Sequence, residues 1–188
     1  MATAIDAAAD AHGLTARGWR ELSLALRDRG HGWRTPVLAT VDPEQQPQAR
    51  TVVLRGVDAE KSQLRVFTDA RSPKVAELRA RPRAVLVFWS AALNWPLRAT
   101  VDVTVLDEGT EVDAAWARVS PSAAARDYLT PVAPGQVLQG SAGGTADQHH
   151  LAILLAQVQA LDWLELGGQG EEHRRCRITP EGVERLVP

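Results

Sequence analysis

The sequence predicts a mainly β fold with peripheral helices, an antiparallel β-barrel or related α+β arrangement. Three observations predict it. β-rich runs outnumber helical ones, short turn-rich segments join several of them, and strands do not alternate regularly with helices. A doubly wound nucleotide-binding fold would need that alternation and a glycine-rich loop after its first strand; neither is present.

The first helix is expected from about Thr15 to Arg29, because Trp19, Leu22 and Leu26 recur at helical spacing and Gly30 follows as a stop. Strand one runs from about Pro36 to Val41 and ends in the turn-rich DPEQQPQ. Strand two spans about Ala49 to Val57 and strand three about Gln63 to Thr68, joined by GVDAEKSQ, a hairpin-like linker. A helix then opens with Ser72 as N-cap and Pro73 at N1, carries Val75 and Leu78 on one face, and stops before Pro82. Strand four, Ala84 to Trp89, has few polar residues and is expected to be buried on both faces. Strand five, Leu97 to Leu106, alternates Arg98, Thr100, Asp102 and Thr104 with apolar residues, so one face is wet. Short helices are expected at Glu111–Val119 and Ser122–Tyr128, and a longer one at Gln148–Ala160. Two closing strands, Leu161–Leu166 and His173–Ile178, flank the hairpin loop GGQGEE.

A chain of 188 residues is long enough for one domain with its own core. A single domain over residues 1–188 is expected, with a helical segment over 1–31 and a flexible loop over 130–147, rich in Pro, Gly and small polar residues. Hydrophobic residues make up 45% and charged residues 23%, as in a soluble globular protein. The formal net charge of −2 argues against a dedicated nucleic-acid binder. A lone Cys176 excludes an internal disulfide and any multi-cysteine metal site. The opening MATAIDAAAD has no basic run, and the apolar stretch near Leu151 to Leu161 is too short to span a bilayer. A cytoplasmic protein without membrane contact is expected.

Several groups could carry chemistry. The Ser72–Pro73–Lys74 helix start offers backbone N–H groups, a partial positive charge and an ammonium, which suit an anion; the same residues suit an ordinary capped helix. Arg50 and Arg55 are five residues apart on one expected strand, so they face opposite sides unless the strand bulges. Six tryptophans could include a stacking partner for a flat ring, or fill the core. His173, Arg175 and Arg177 share one face of the last strand, as an anion site or as a solvated edge. The pair His149–His150 has no partner at metal-ligand spacing, so no metal is expected. No nucleophile elbow, P-loop or Cys–His signature occurs.

The blocks RTVVLRGVD, LRVFTDARSPKVAELRARPRAVLVFW and PLRATVDV together resemble the pyridoxamine 5′-phosphate oxidase family. AAWARVSPSAAARDYLTPVAPGQ and LDWLELGGQGEEHRRCRI look closer to a less characterised branch of oxidase-related FMN-binding proteins. The resemblance implies a six-stranded antiparallel split β-barrel of the FMN-binding type. It also implies a homodimer with FMN at the interface and oxidoreductase chemistry on a small-molecule substrate. It places Arg50 on the flavin phosphate and the backbone of Thr51, Val52, Val53 and Leu54 along the isoalloxazine. Arg55 stands at a substrate-facing position, Phe67 and Thr68 contact FMN, and Ser72 and Lys74 hold the phosphate. Arg177 contacts FMN, while His173 and Arg175 match substrate-binding positions.

Departures from the family pattern bear on the substrate. Pro73 stands where an Arg is usual, Pro96 where a Gln is, and Gly167 where a flavin-contacting Trp is. Trp116, Ser120 and Ala124 fall on the Tyr, Arg and Ser of the substrate-phosphate pocket, and the order of His173 and Arg175 is reversed. Each lost charge-assisted bond removes about 1.5–3 kcal/mol. The expected activity is therefore on a small molecule other than pyridoxamine phosphate. The alternatives are a flavin, haem or deazaflavin binding module without its own reaction, and a genuine pyridoxamine 5′-phosphate oxidase.

Overall fold

The computed structural model describes residues 4–138, 144–167 and 172–188, with side chains from Gly13 onward. In chain order the elements are α1 (Ala4–Arg27), a 3-10 turn (Gly32–Arg34), β1 (Val37–Val41), β2 (Pro47–Thr51), β3 (Leu54–Asp58) and β4 (Gln63–Asp69). Then come α2 (Pro73–Ala80), β5 (Arg83–Ser90), β6 (Trp95–Leu106), α3 (Thr110–Val119) and a second 3-10 turn (Ala123–Tyr128). β7 (Leu151–Glu165), β8 (Arg174–Thr179) and β9 (Gly182–Leu186) complete the described chain.

All strand pairs are antiparallel, in the order β2-β1-β5-β6-β7-β4-β3, with β8 on β7 and β9 on β8. β2 and β3 stand at opposite ends of this order, yet only Val52 and Val53 separate them in sequence. The sheet must therefore curl until its two edges meet. Its inner face supplies one core that includes Leu38, Leu54, Val66, Leu86, Phe88, Ala99, Val101 and Leu154. Trp33, Trp95 and Trp163 extend this core beneath α1, with Trp95 and Trp163 ring centroids 4.7 Å apart. Helix α1 buries Trp19, Leu22 and Ala25 at helical spacing, and Arg17 lies 3.6 Å over the Trp95 ring.

Four expectations are corrected. The predicted strand over Ala49–Val57 is two strands: β2 pairs with β1, and β3 pairs with β4. The predicted helix over Gln148–Ala160 is the first part of β7. Its run is apolar on both faces because Leu151 and Ile153 pack under α3 with Val112, Ala115 and Tyr128, while Leu154, Ala156 and Val158 enter the main core. A strand buried on both sides loses the two-residue alternation that identifies it. Strand β5 buries only one face, Ala84, Leu86, Phe88 and Ser90, leaving Trp89 48% exposed. The first helix covers Ala4–Arg27 rather than beginning near Thr15.

The described sheet has nine strands rather than six: seven runs were legible in the sequence, the second is divided in two, and β9 adds an edge to the C-terminal hairpin. Residues 139–143 of the expected flexible loop, and 168–171 of the GGQGEE loop, lie outside the described residues. No described helix is long and apolar enough to cross a membrane.

Candidate functional site

β4 ends at Asp69, and the chain turns through Ser72 into α2. Ser72 adopts the extended N-cap conformation, and proline follows at N1 as expected. Its hydroxyl does not cap the helix. It lies 3.2 Å from the hydroxyl of Thr68, to which Lys74 Nζ also donates at 3.1 Å. Two buried hydroxyls and an ammonium thus converge where no side chain caps the helix. Burial, and then the neighbouring charge of Arg50, pull the Lys74 ammonium below its ordinary range, against opposing pulls from Asp69 and Glu77.

Arg50, on β2, reaches Glu77 one turn further along α2. Its Nη2 donates to both carboxylate oxygens of Glu77, at 2.9 and 3.2 Å, and its Nη1 donates to the Thr40 hydroxyl. Thr40 in turn donates to Glu77 Oε2. Arg50, Lys74, Glu77, Gln48 and Pro73 line a cleft of about 660 Å³ here. Arg71 is committed elsewhere. It grips Asp69 with two donors, at 3.0 and 2.6 Å, and donates to the Thr130 carbonyl at 2.8 Å. It ties the following loop to the end of β4.

Arg55 and Phe67 belong to a second cleft, about 320 Å³, between α3 and the β3–β4 pair. The strand does bulge, at Arg55: Leu54 pairs with Val66 and Gly56 with Arg65. A side chain at Gly56 would meet Arg65 carbons at 3.1 Å, so this position must stay small for Arg65 to lie across the strand. Arg65 faces Glu111 at 3.5 Å, and Arg118 lines the same cleft. Of the expected backbone wall, Thr51 is exposed and Val53 half-buried. Val52 is buried with its N–H donating to the Pro36 carbonyl at 2.9 Å, and Leu54 enters the core.

The C-terminal residues form a third group. Arg175 donates to both oxygens of Asp162, at 3.1 and 3.0 Å, and Arg98 donates to the same carboxylate. Burial pushes Asp162 up, but the hydrogen bonds from Arg175 and Arg98 outweigh it and hold the carboxyl below its usual range. Arg177 is exposed and faces Glu184 at 3.9 Å. His173 precedes β8, and its Nδ1 accepts from the Gly167 N–H at 3.0 Å. The structure therefore brings Thr68, Ser72, Lys74 and Arg50 together at the start of α2, Arg55 and Phe67 in a separate cleft, and His173 and Arg175 around β8.

Sequence reasoning missed Glu77, Thr40 and Asp162. Glu77 carried a faint signal: it sits one turn after Lys74 between the apolar Val75 and Leu78.

The family model of the pyridoxamine 5′-phosphate oxidase FMN-binding domain matches residues 16–107. That stretch belongs to this family. It holds Thr40, Arg50, Arg55, Phe67, Thr68, Ser72, Lys74 and Glu77. The pyridoxine/pyridoxamine 5′-phosphate oxidase of Thermobifida fusca (strain YX) is 43% identical over an alignment covering 38% of each protein. The corresponding oxidase of Microcystis aeruginosa is 41% identical over 38% of this chain and 32% of its own length. The chain thus spans about a third of the length of the curated oxidases it matches. Solved structures extend the likeness. A pyridoxamine 5′-phosphate oxidase-related, FMN-binding protein from Nostoc punctiforme superposes with a TM-score of 0.71 at 25% identity, covering 91% of this chain and 96% of that one. PhzG from Burkholderia lata 383, solved with tetrahydrophenazine-1-carboxylic acid, shares the fold at a TM-score of 0.73 and 16% identity, over 90% of this chain and 89% of its own. The architecture is that of the family's split barrel.

Proposed function

We propose that this chain binds FMN without a covalent bond and uses it in redox chemistry on a small molecule. The observation that carries this is the convergence of Thr68, Ser72 and Lys74 on an uncapped helix start, inside the stretch that matches the FMN-binding family. Hydroxyl donors, an ammonium and a positive helix end are the groups a phosphomonoester calls for. Ser72, Thr68, Lys74 and Arg50 would hold the phosphate. The chain from Thr51 to Leu54 with Phe67 would border the ring, and Arg55, Arg175 and His173 would face the substrate. Bound FMN supplies hydride or electron transfer at its isoalloxazine, and the chain supplies binding, orientation and the surrounding field. The substrate is other than pyridoxamine phosphate, since Trp116, Ser120 and Ala124 offer no cation to its phosphate.

A homodimer with FMN between the copies completes the reading. The outer face of the sheet supports it: Val37 and Val87 are register partners, Trp89 is opposite Pro96, and Val37 and Trp89 are exposed. Exposed apolar side chains of this kind beside the charged Arg98 suit a second copy. The tests are a visible spectrum of the purified protein, FMN titration, mass spectrometry of the extracted ligand and light scattering for the oligomer. A yellow dimer is expected. A colourless protein that takes up no FMN, or one that releases haem or a deazaflavin, would sink the proposal.

A further inference from the structure

Glu77 is only 5% exposed, on a helix of eight residues. Burying a carboxylate is unfavourable unless its oxygens are bonded, and exchanging a buried ion pair for apolar residues is often neutral or stabilising. Stability therefore does not explain the charge. Its position is informative instead. Thr40 comes from β1, Arg50 from β2 and Glu77 from α2, and all three side chains close on one another. Arg50 and Glu77 line the same cleft as Lys74.

A guanidinium has five N–H donors. Glu77 and Thr40 engage Nη2 and Nη1 of Arg50, and among the described residues Nε–H has no hydrogen-bond partner. We propose that Glu77 is a positioning residue, which with Thr40 locks the Arg50 guanidinium so that its remaining donors face the cleft shared with Lys74. A phosphate then meets an arginine already fixed in orientation, and binding does not have to order that long side chain. The inference rests on the FMN reading above and adds to it a second layer of residues that act through Arg50.

The test compares FMN with riboflavin, which lacks the phosphate, by flavin-fluorescence titration of wild type, Glu77→Gln and Thr40→Val. Glu77→Gln is expected to weaken FMN about tenfold and leave riboflavin unchanged. Thr40→Val removes no charge and is expected to weaken FMN about threefold, again without touching riboflavin. In an Arg50→Gln background, Glu77→Gln is expected to cost FMN nothing further. Equal losses for both flavins would show a merely structural role. Unchanged or tighter FMN binding in Glu77→Gln would show that the carboxylate only opposes the phosphate charge. Either result overturns the inference while leaving FMN binding by the wild type standing. A wild type without FMN uptake overturns both.

Discussion

Two sites in this molecule each set two cations around one carboxylate, and they behave differently. At the start of α2, Arg50 and Lys74 surround Glu77; on the outer face of β6–β7–β8, Arg98 and Arg175 surround Asp162. The first carboxylate is buried, bonded also by Thr40, and opens onto a cleft. The second lies along a sheet face, with Arg98 half-exposed beside its register partner. Low dielectric makes the first group interdependent: Arg50 depresses Lys74, so a ligand that changes one charge changes the others. The second is cross-strand pairing screened by water. The same three charges therefore close on a buried carboxylate in one place and pair across strands on a sheet face in the other.

Substitutions should pull the two apart. Arg50→Met leaves Glu77 buried with only Thr40 as partner, and should cost about 3 kcal/mol in urea unfolding. Glu77→Met should cost clearly less, because Arg50 can still reach water; equal costs would mean the pair is not asymmetrically buried. Lys74→Met should weaken FMN by about 10–100-fold, the loss of one charge-assisted contact, without lowering the melting temperature. pH gives a third handle. Phosphate favours the charged form of Lys74, whose pKa in the free protein is lowered. FMN affinity should therefore fall as pH rises through that lowered value, before an ordinary lysine would titrate. Folding stability should move the other way, rising over the interval up to the ordinary lysine pKa, because the unfolded chain binds the extra proton. Paired titrations and unfolding curves at neutral and alkaline pH check both signs. Arg175→Met should cost under about 1 kcal/mol, since Asp162 keeps Arg98; a larger loss would erase the contrast.

What could be read in advance follows from where the determinants lie. The alternation along Leu97–Leu106 and the Ser72–Pro73 helix start are local patterns, and both stand in the structure. Trp19, Trp33, Trp95 and Trp163 are core residues, whereas Trp89 is exposed because β5 buries only one face. The run at Leu151–Ala160 misled because α3 covers its second side, a fact of tertiary packing that no window of sequence contains. The break at Val52–Val53 was hidden because both flanking segments are good strands; only barrel closure divides them. Phe67, Thr68, Ser72 and Lys74 lie within eight residues and could be found by motif. Glu77 acquires its partners from β1 and β2, 37 and 27 residues away.

β7 carries a last consequence. It pairs with β6, β4 and β8, and its register against β6 shifts between Thr100 and Val101, leaving Gln159 as the extra residue. Before that point it shares an edge with β4, and beyond it with β8. Three of the molecule's seams thus run through one ribbon that is synthesised after β4 and β6. During translation those two strands wait with bare edges until residues 151–165 emerge, so assembly should be slow and vulnerable to aggregation. In native-state hydrogen exchange, the amides of this ribbon should be the last to open.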